Sequence, residues 1–96
     1  MNYQEAYEKY GDEEFLTFDK RVVNKLSTRA DLHAFILLDK LVPGNMDMVC
    51  NAEHDEIFID IDPEELSKVA TEEQMIELIR CGLRYDSQTD SLAMFV

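Results

Sequence analysis

The sequence has few basic residues for its length. It carries 9 Lys and Arg against 21 Asp and Glu in 96 residues, so the formal net charge is −12. The sequence-independent part of nucleic-acid affinity comes from basic side chains that neutralise phosphates. A chain with this shortage repels nucleic acids and anionic membranes, which argues against direct binding to either. Opposite fields steer molecular encounters, so the charge favours a basic protein or nucleoprotein complex as the partner.

Long hydrophobic runs are also missing. The longest continuous apolar run, residues 34–38, is far shorter than the roughly 18–20 residues that span a bilayer. Residues 1–5 have neither a positive start nor an apolar stretch, so we expect no signal peptide. These two absences predict a cytoplasmic protein that does not enter membranes.

Only two cysteines are present, Cys50 and Cys81. Their spacing matches no metal-ligand or redox motif. We therefore interpret both as buried free thiols in a reducing cytosol.

The remaining composition is that of a globular protein, with 46% hydrophobic and 31% charged residues. A chain of 96 residues corresponds to one domain with a core of its own. We therefore predict a single compact acidic domain over residues 1–96.

Apolar residues recur at helical spacing in the first half of the chain. Residues 2–10 predict a helix that ends at Gly11, whereas residues 12–20 fit both helical and extended structure. Thr28 and Asp31 have the spacing of a capping box, which predicts the start of a third helix. Its predicted apolar face consists of Leu32, Phe35, Ile36, Asp39 and Val42.

Further along the chain, the period changes from nearly four to two. The alternation predicts one β-hairpin over residues 46–51 and 56–61 and a second over residues 83–86 and 91–96. Between the hairpins, two helix starts are expected, an Asp62 cap followed by Pro63 and a capping box from Thr71 to Gln74. Residues 57, 59 and 61, all isoleucine, are expected to face the helices and be buried.

Both halves of the pattern contain a capped helix followed by two strands. Residues 50–59 align with residues 85–94, which is consistent with a helix–hairpin duplication. The predicted fold is therefore α+β, with a four-stranded antiparallel sheet made of two β-hairpins and helices packed on one face.

The sequence favours no catalytic chemistry. Asp60 and Asp62 belong to the densest carboxylate group and could hold a hard cation, so a metal-dependent enzyme is one alternative hypothesis. However, Pro63 interrupts the spacing of a calcium loop, and the required glycine is absent. His33 and His54 have no Ser or Cys at nucleophile spacing, and both are interpreted as surface or boundary residues. We expect no enzyme activity, no metal and no cofactor.

Charge asymmetry carries the functional prediction. Residues 1–41 hold eight acidic and six basic residues, whereas residues 42–96 hold thirteen and three. This predicts an inhibitor or adaptor that occupies a basic, nucleic-acid-handling surface of a partner protein as a nucleic-acid mimic. Phage or plasmid anti-restriction and anti-CRISPR proteins use this strategy, as do immunity proteins against basic toxins. The predicted partner-binding residues are Asp60, Asp62, Glu64, Glu65, Glu72 and Glu73.

The aromatic residues of the first half support a second alternative. Tyr3, Tyr7, Tyr10, Phe15 and Phe18 could provide a surface for oligomerisation or for docking on a scaffold. In that case the protein would be a structural or assembly module, and homo-oligomerisation stays open.

Overall fold

The computed structural model describes all residues, 1–96, and contains five helices and four strands. The predicted α+β class is confirmed. The helices are α1 (Tyr3–Glu14), α2 (Phe18–Arg21), α3 (Ala30–Leu41), α4 (Pro63–Val69) and α5 (Glu72–Arg80), and the strands are β1 (Val49–Glu53), β2 (Glu56–Ile59), β3 (Arg84–Asp86) and β4 (Ser91–Phe95).

The four strands form one antiparallel sheet in the order β1-β2-β4-β3, as the two predicted hairpins require. The first hairpin turns at His54 and Asp55, whose φ angles are 50° and 64°. Two consecutive positive φ angles are the signature of a type I′ turn, whose twist matches that of the flanking strands. The second strands of the two hairpins, β2 and β4, lie side by side at the centre of the sheet.

The possible helix–hairpin duplication is consistent with the pairing of the central strands and not with that of the outer ones. Phe58 pairs with Ala93, and these two residues are equivalent in the alignment of residues 50–59 with residues 85–94. The outer strands differ in register. Two residues separate the paired residues Glu53 and Glu56 at the turn of the first hairpin, whereas four residues separate Asp86 and Ser91 at the turn of the second. The longer second turn shifts β3 by two residues relative to β1.

One face of the sheet closes the hydrophobic core. Ile59 is 3% exposed and Ile61 is 8% exposed, as predicted, whereas Ile57 is only partly buried. Ile61 reaches the core from the segment after β2 rather than from the strand itself. Leu92 and Met94 of β4 complete this face and belong to the same buried cluster as residues of all five helices.

One arginine lies across the opposite face of the sheet, where Phe95 also packs edge-on against Phe15. The Arg84 side chain extends from β3 across Ala93 of β4, and its guanidinium pairs with the Glu56 carboxylate of β2. The same guanidinium lies 4.5 Å from the centre of the Phe95 ring, within the range of a cation–π contact. Ala93 is therefore fully buried although it points away from the core face.

Helix α1 is longer than predicted. Its start has a capping box in which Asn2 and Glu5 exchange hydrogen bonds, and it continues through Gly11 to Glu14. A glycine alone does not end a helix when the residues beyond it are held in place. Here the Glu14 side chain is fixed by two arginines, which favours the extra turn.

The predicted start of α3 is wrong. Arg29 occupies the N-cap position without a side-chain hydrogen bond, and Asp31 Oδ1 accepts from the neighbouring Leu32 amide instead. The buried face also differs from the prediction, because Leu32 is 44% exposed. The helix is apolar on more than one side, so its sequence does not specify which side is buried. The side chains that enter the core are His33, Ala34, Leu37 and Leu38.

Candidate acidic binding groove

The six predicted partner-binding residues lie in three segments. Asp60 and Asp62 occupy the connection from β2 to α4, Glu64 and Glu65 the first turn of α4, and Glu72 and Glu73 the first turn of α5. One of them, Asp62, has a local structural role that the sequence predicted correctly. Its carboxylate accepts a hydrogen bond from the Glu64 amide at 2.9 Å and caps α4.

Asp60 lies where several shallow cavities of the surface adjoin. It lines three adjoining cavities of about 190, 300 and 360 Å³. The third adjoins a further cavity of about 360 Å³, because Pro63 and Asp90 line both. We name this surface the Asp60 groove; its acidic lining residues are Asp39, Asp47, Asp60, Asp62, Glu64 and Asp90.

The Asp60 groove has little compensating charge; Lys68, which lies outside its lining, attracts Glu64 and Asp62 without forming an ion pair with either. No Lys, Arg or His lines any of the four cavities. None of the six acidic lining residues takes part in an ion pair, since the five pairs of the protein use Glu14, Glu56, Glu65 and Glu77. Carboxylates in a concave surface reinforce one another's field. The groove therefore offers an anionic environment to a positively charged ligand.

At one end of the groove, apolar side chains lie beside the carboxylates. Met46 is 79% exposed there, and Val42, Pro43 and Met48 line the same cavity. Methionine side chains adapt to irregular ligands. The hydrocarbon parts of Lys and Arg side chains pack on apolar surface while their charged ends reach acidic groups. This combination suits basic side chains better than small inorganic cations.

Three predicted residues lie outside the groove. Glu65 accepts a hydrogen bond from the Lys68 ammonium at 3.3 Å, and this bond is the largest cause of the raised pKa of Lys68. Glu72 accepts a hydrogen bond from the Tyr10 hydroxyl. Glu73 is exposed on the surface of α5. The structure does not bring these residues into the lining that contains Asp60.

Sequence reasoning missed three groove residues, Asp39, Asp47 and Asp90. Asp39 lies near the end of α3, Asp47 precedes β1, and Asp90 belongs to the turn between β3 and β4. Asp90 lies in the predicted turn of the second hairpin, whereas Asp39 and Asp47 lie inside predicted elements and gave no such signal. Asp90 approaches Asp60 because β2 pairs with β4, and Asp39 and Asp47 approach it through the segment between α3 and β1.

The buried histidine is held by its neighbours. His33 is fully buried, which corrects the prediction of a surface or boundary residue. Its Nδ1 accepts a hydrogen bond from the Leu26 amide at 3.0 Å, and its Nε2 lies 2.7 Å from Oε2 of Glu77. Because Nδ1 accepts, the ring proton resides on Nε2 and is donated to Glu77. Both ring nitrogens are occupied, so the arrangement holds the structure together and leaves no free base.

The two cysteines differ in their environments. Cys81 is buried as predicted, and burial raises the pKa of its thiol to about 12, so the thiolate form is disfavoured. Cys50 is exposed on β1, which contradicts the prediction that both thiols are buried. The reason is that every residue of β1 is exposed.

The aromatic residues of the first half mainly build the core. Tyr3 and Phe18 are buried, and Tyr7, Tyr10 and Phe15 pack against the core as partly buried side chains. The Tyr3 hydroxyl donates to the Leu83 carbonyl at 2.7 Å, and burial raises the pKa of this hydroxyl well above its usual range. Little aromatic surface is therefore left for the assembly role that the sequence allowed.

No group of three or more His, Cys, Asp or Glu side chains is arranged to hold a metal ion. None of the helices combines the length and the apolar character that crossing a bilayer requires.

No family model, curated protein or solved structure matches this chain.

Proposed function

We propose that this protein is a small acidic binding module that acts as an inhibitor or adaptor. It occupies a basic, nucleic-acid-handling surface of a partner protein and imitates the charge of a nucleic acid. The observation that carries this proposal is the Asp60 groove, whose adjoining cavities are lined by six acidic side chains and by no basic residue.

The spacing of the carboxylates supports nucleic-acid mimicry. Acidic residues two positions apart in extended chain lie about 6–7 Å from one another, and Asp60 and Asp62 have this sequence spacing in the segment after β2. This is comparable with the separation of successive phosphates along one nucleic-acid strand. A basic protein surface that normally holds phosphates can therefore accept these carboxylates. Anti-restriction, anti-CRISPR and toxin-immunity proteins are the functional classes that this strategy fits.

The proposal is tested on a captured partner. The protein is used to capture interacting proteins from its native cell extract, with nuclease treatment to remove nucleic-acid bridges. Each purified candidate is bound to a fluorescent DNA or RNA duplex, and this protein is added. We expect displacement of the duplex, and we expect displacement to weaken steeply as salt is raised.

Matched charge reversals localise the effect. The test variant is Asp47→Lys with Asp60→Lys, because the side chains of these exposed groove residues make no hydrogen bond within the protein. The control is Asp12→Lys with Glu13→Lys, which changes the net charge equally near the far end of α1. The test variant should lose displacement and the control should keep it. Equal losses in both would reduce the effect to overall charge, and no loss in either would refute the proposal.

A further inference from the structure

One edge of the sheet is open. The order β1-β2-β4-β3 places β1 and β3 at the two edges. Helix α1 packs against β3, and the Tyr3 hydroxyl bonds to the Leu83 carbonyl at that edge. By contrast, all five residues of β1 are exposed, and its packing partner is β2. An exposed edge strand presents unpaired backbone groups that can pair with another chain.

The register of the first hairpin identifies these backbone groups. Glu53 and Glu56 close the two-residue turn, so their backbone groups bond to each other across the hairpin. The N–H and C=O of Ala52, one residue earlier, therefore point away from β2. The Ala52 N–H meets only the Oδ1 of its neighbour Asn51, at 2.9 Å. An incoming strand can replace this local hydrogen bond.

The charge around β1 selects the incoming strand. Residues 45–62 contain six Asp or Glu and no Lys or Arg, whereas lysine is a common protection of edge strands. Glu53 lies directly opposite Glu56, and like charges in this position are destabilising. Arg84 neutralises Glu56, but Glu53 takes part in no ion pair. A basic side chain beside Glu53 would relieve the repulsion.

We propose that an extended basic segment of the partner adds to β1 as a fifth strand of the sheet. The inference rests on the proposed function and specifies how the partner binds. Main-chain hydrogen bonds to Ala52 provide affinity, and Lys or Arg side chains facing Glu53 and the Asp60 groove provide selectivity. A second copy of this chain is a poor occupant, because residues 45–62 of both copies carry six acidic residues and no Lys or Arg, so the two edges repel each other.

The test uses a seven-residue peptide of alternating lysine and valine as the probe. A second peptide of the same sequence has every internal amide N-methylated, so it keeps the charge and loses the hydrogen-bond donors. Affinity is measured by fluorescence anisotropy at low salt, and amide chemical shifts report contacts in residues 49–53. The protein variant Ala52→Pro removes the outward N–H at a position where an edge strand tolerates proline. Ala52→Ser is its control because it keeps the N–H.

We expect the parent peptide to shift the amides of residues 49–53. Both the N-methylated peptide and the Ala52→Pro variant should bind about tenfold more weakly, as the loss of one or two net hydrogen bonds predicts. Ala52→Ser should bind like the parent protein. If the N-methylated peptide binds within about twofold of the parent, the contact is electrostatic alone and strand addition is overturned, while the proposed function stands.

A different result separates the two proposals. If Asp47→Lys with Asp60→Lys leaves peptide binding unchanged while N-methylation weakens it, the edge strand is a binding site and the groove is not. Failure of the parent peptide to bind at low salt would overturn strand addition outright.

Discussion

The replacement Glu14→Gln tests the most heavily used carboxylate of the fold. Glu14 is 9% exposed at the end of α1. Its two oxygens bind Arg21 Nη1 of α2 at 2.8 Å and Arg80 Nε of α5 at 2.6 Å. Glutamine keeps the size and one acceptor oxygen but removes the charge. The change therefore weakens a junction between three helices without opening a cavity.

The two arginines contribute unequally to the expected loss. The Arg80 side chain is 27% exposed and forms the shorter bond, and a hydrogen bond between charged groups contributes about 1.5–3 kcal/mol. The Arg21 side chain is 48% exposed, so solvent limits its contribution to a few tenths of a kcal/mol. We expect Glu14→Gln to lower the free energy of unfolding by about 2 kcal/mol. In a domain of this size, that corresponds to a decrease in Tm of about 8–16 °C.

The decrease in the free energy of unfolding caused by Glu14→Gln should depend on pH. The hydrogen bond from Arg80 is the main reason why the pKa of Glu14 is lowered from its ordinary value of 4.5, although burial opposes the shift. A carboxyl whose pKa is lower in the folded state stabilises the protein above its unfolded pKa, and the stabilisation is lost as pH falls through the folded value. The difference between the parent and Glu14→Gln should be full near neutral pH and should shrink in acid.

Urea denaturation followed by circular dichroism, at about pH 6.5 and about pH 3, measures both effects. These conditions avoid the region of the isoelectric point near 4.3, where low net charge promotes association. Glu13→Gln is the control, because Glu13 is the exposed neighbour and takes part in no ion pair. A difference that is small at neutral pH, or that stays constant into acid, would refute the assigned role of Glu14.

Two further substitutions test the sheet and the end of α5. Ile59→Asp places an unpaired charge at a position that is 3% exposed and should abolish cooperative folding; a variant that melts near the parent temperature would show that the register of β2 is wrong. Gly82→Ala should cost about 1–2 kcal/mol, because Gly82 has a φ of +100° that side chains disfavour. Gly44→Ala is the control for thermal melting, since a Cβ there meets nothing within 4 Å. Equal melting temperatures of the two alanine variants would contradict the backbone strain expected at Gly82.

The sequence predicted those elements whose signals are local. Helix α4 starts at the predicted Asp62 cap with Pro63 in its first turn, and α5 starts at the predicted capping box of Thr71 and Gln74. A cap depends on residues within one turn, so the rest of the fold has little effect on it. The alternation of isoleucines around Ile59 likewise identified β2.

Helix α3 was predicted less well, because its orientation is decided by tertiary contacts. Leu32 and Leu38 are both apolar, yet only Leu38 is buried. His33 enters the core because Leu26 and Glu77 satisfy its two ring nitrogens. Glu77 lies 44 residues away in the sequence, so no local pattern could have indicated this partner.

The candidate site was predicted in part for the same reason. Asp60, Asp62 and Glu64 were found because they are dense in the sequence. Asp39 and Asp90 come to the same groove only when α3 and the second hairpin pack around the end of β2. The density of charge along a chain indicates an acidic segment, whereas the shape of a groove depends on long-range strand pairing.

The distribution of the basic residues favours the proposed binding role of the groove over a role in solubility alone. Residues 42–96 contain three basic residues, Lys68, Arg80 and Arg84. Each pairs with a carboxylate outside the groove lining. A surface adapted for solubility intersperses both signs of charge, but here none of these three residues forms an ion pair with a groove carboxylate, although Lys68 attracts Glu64 and Asp62. The resulting repulsion is relieved when a basic ligand binds, and a ligand that binds only the folded state also stabilises it. If a basic partner binds the groove as proposed, partner binding and fold stability are coupled through the same carboxylates.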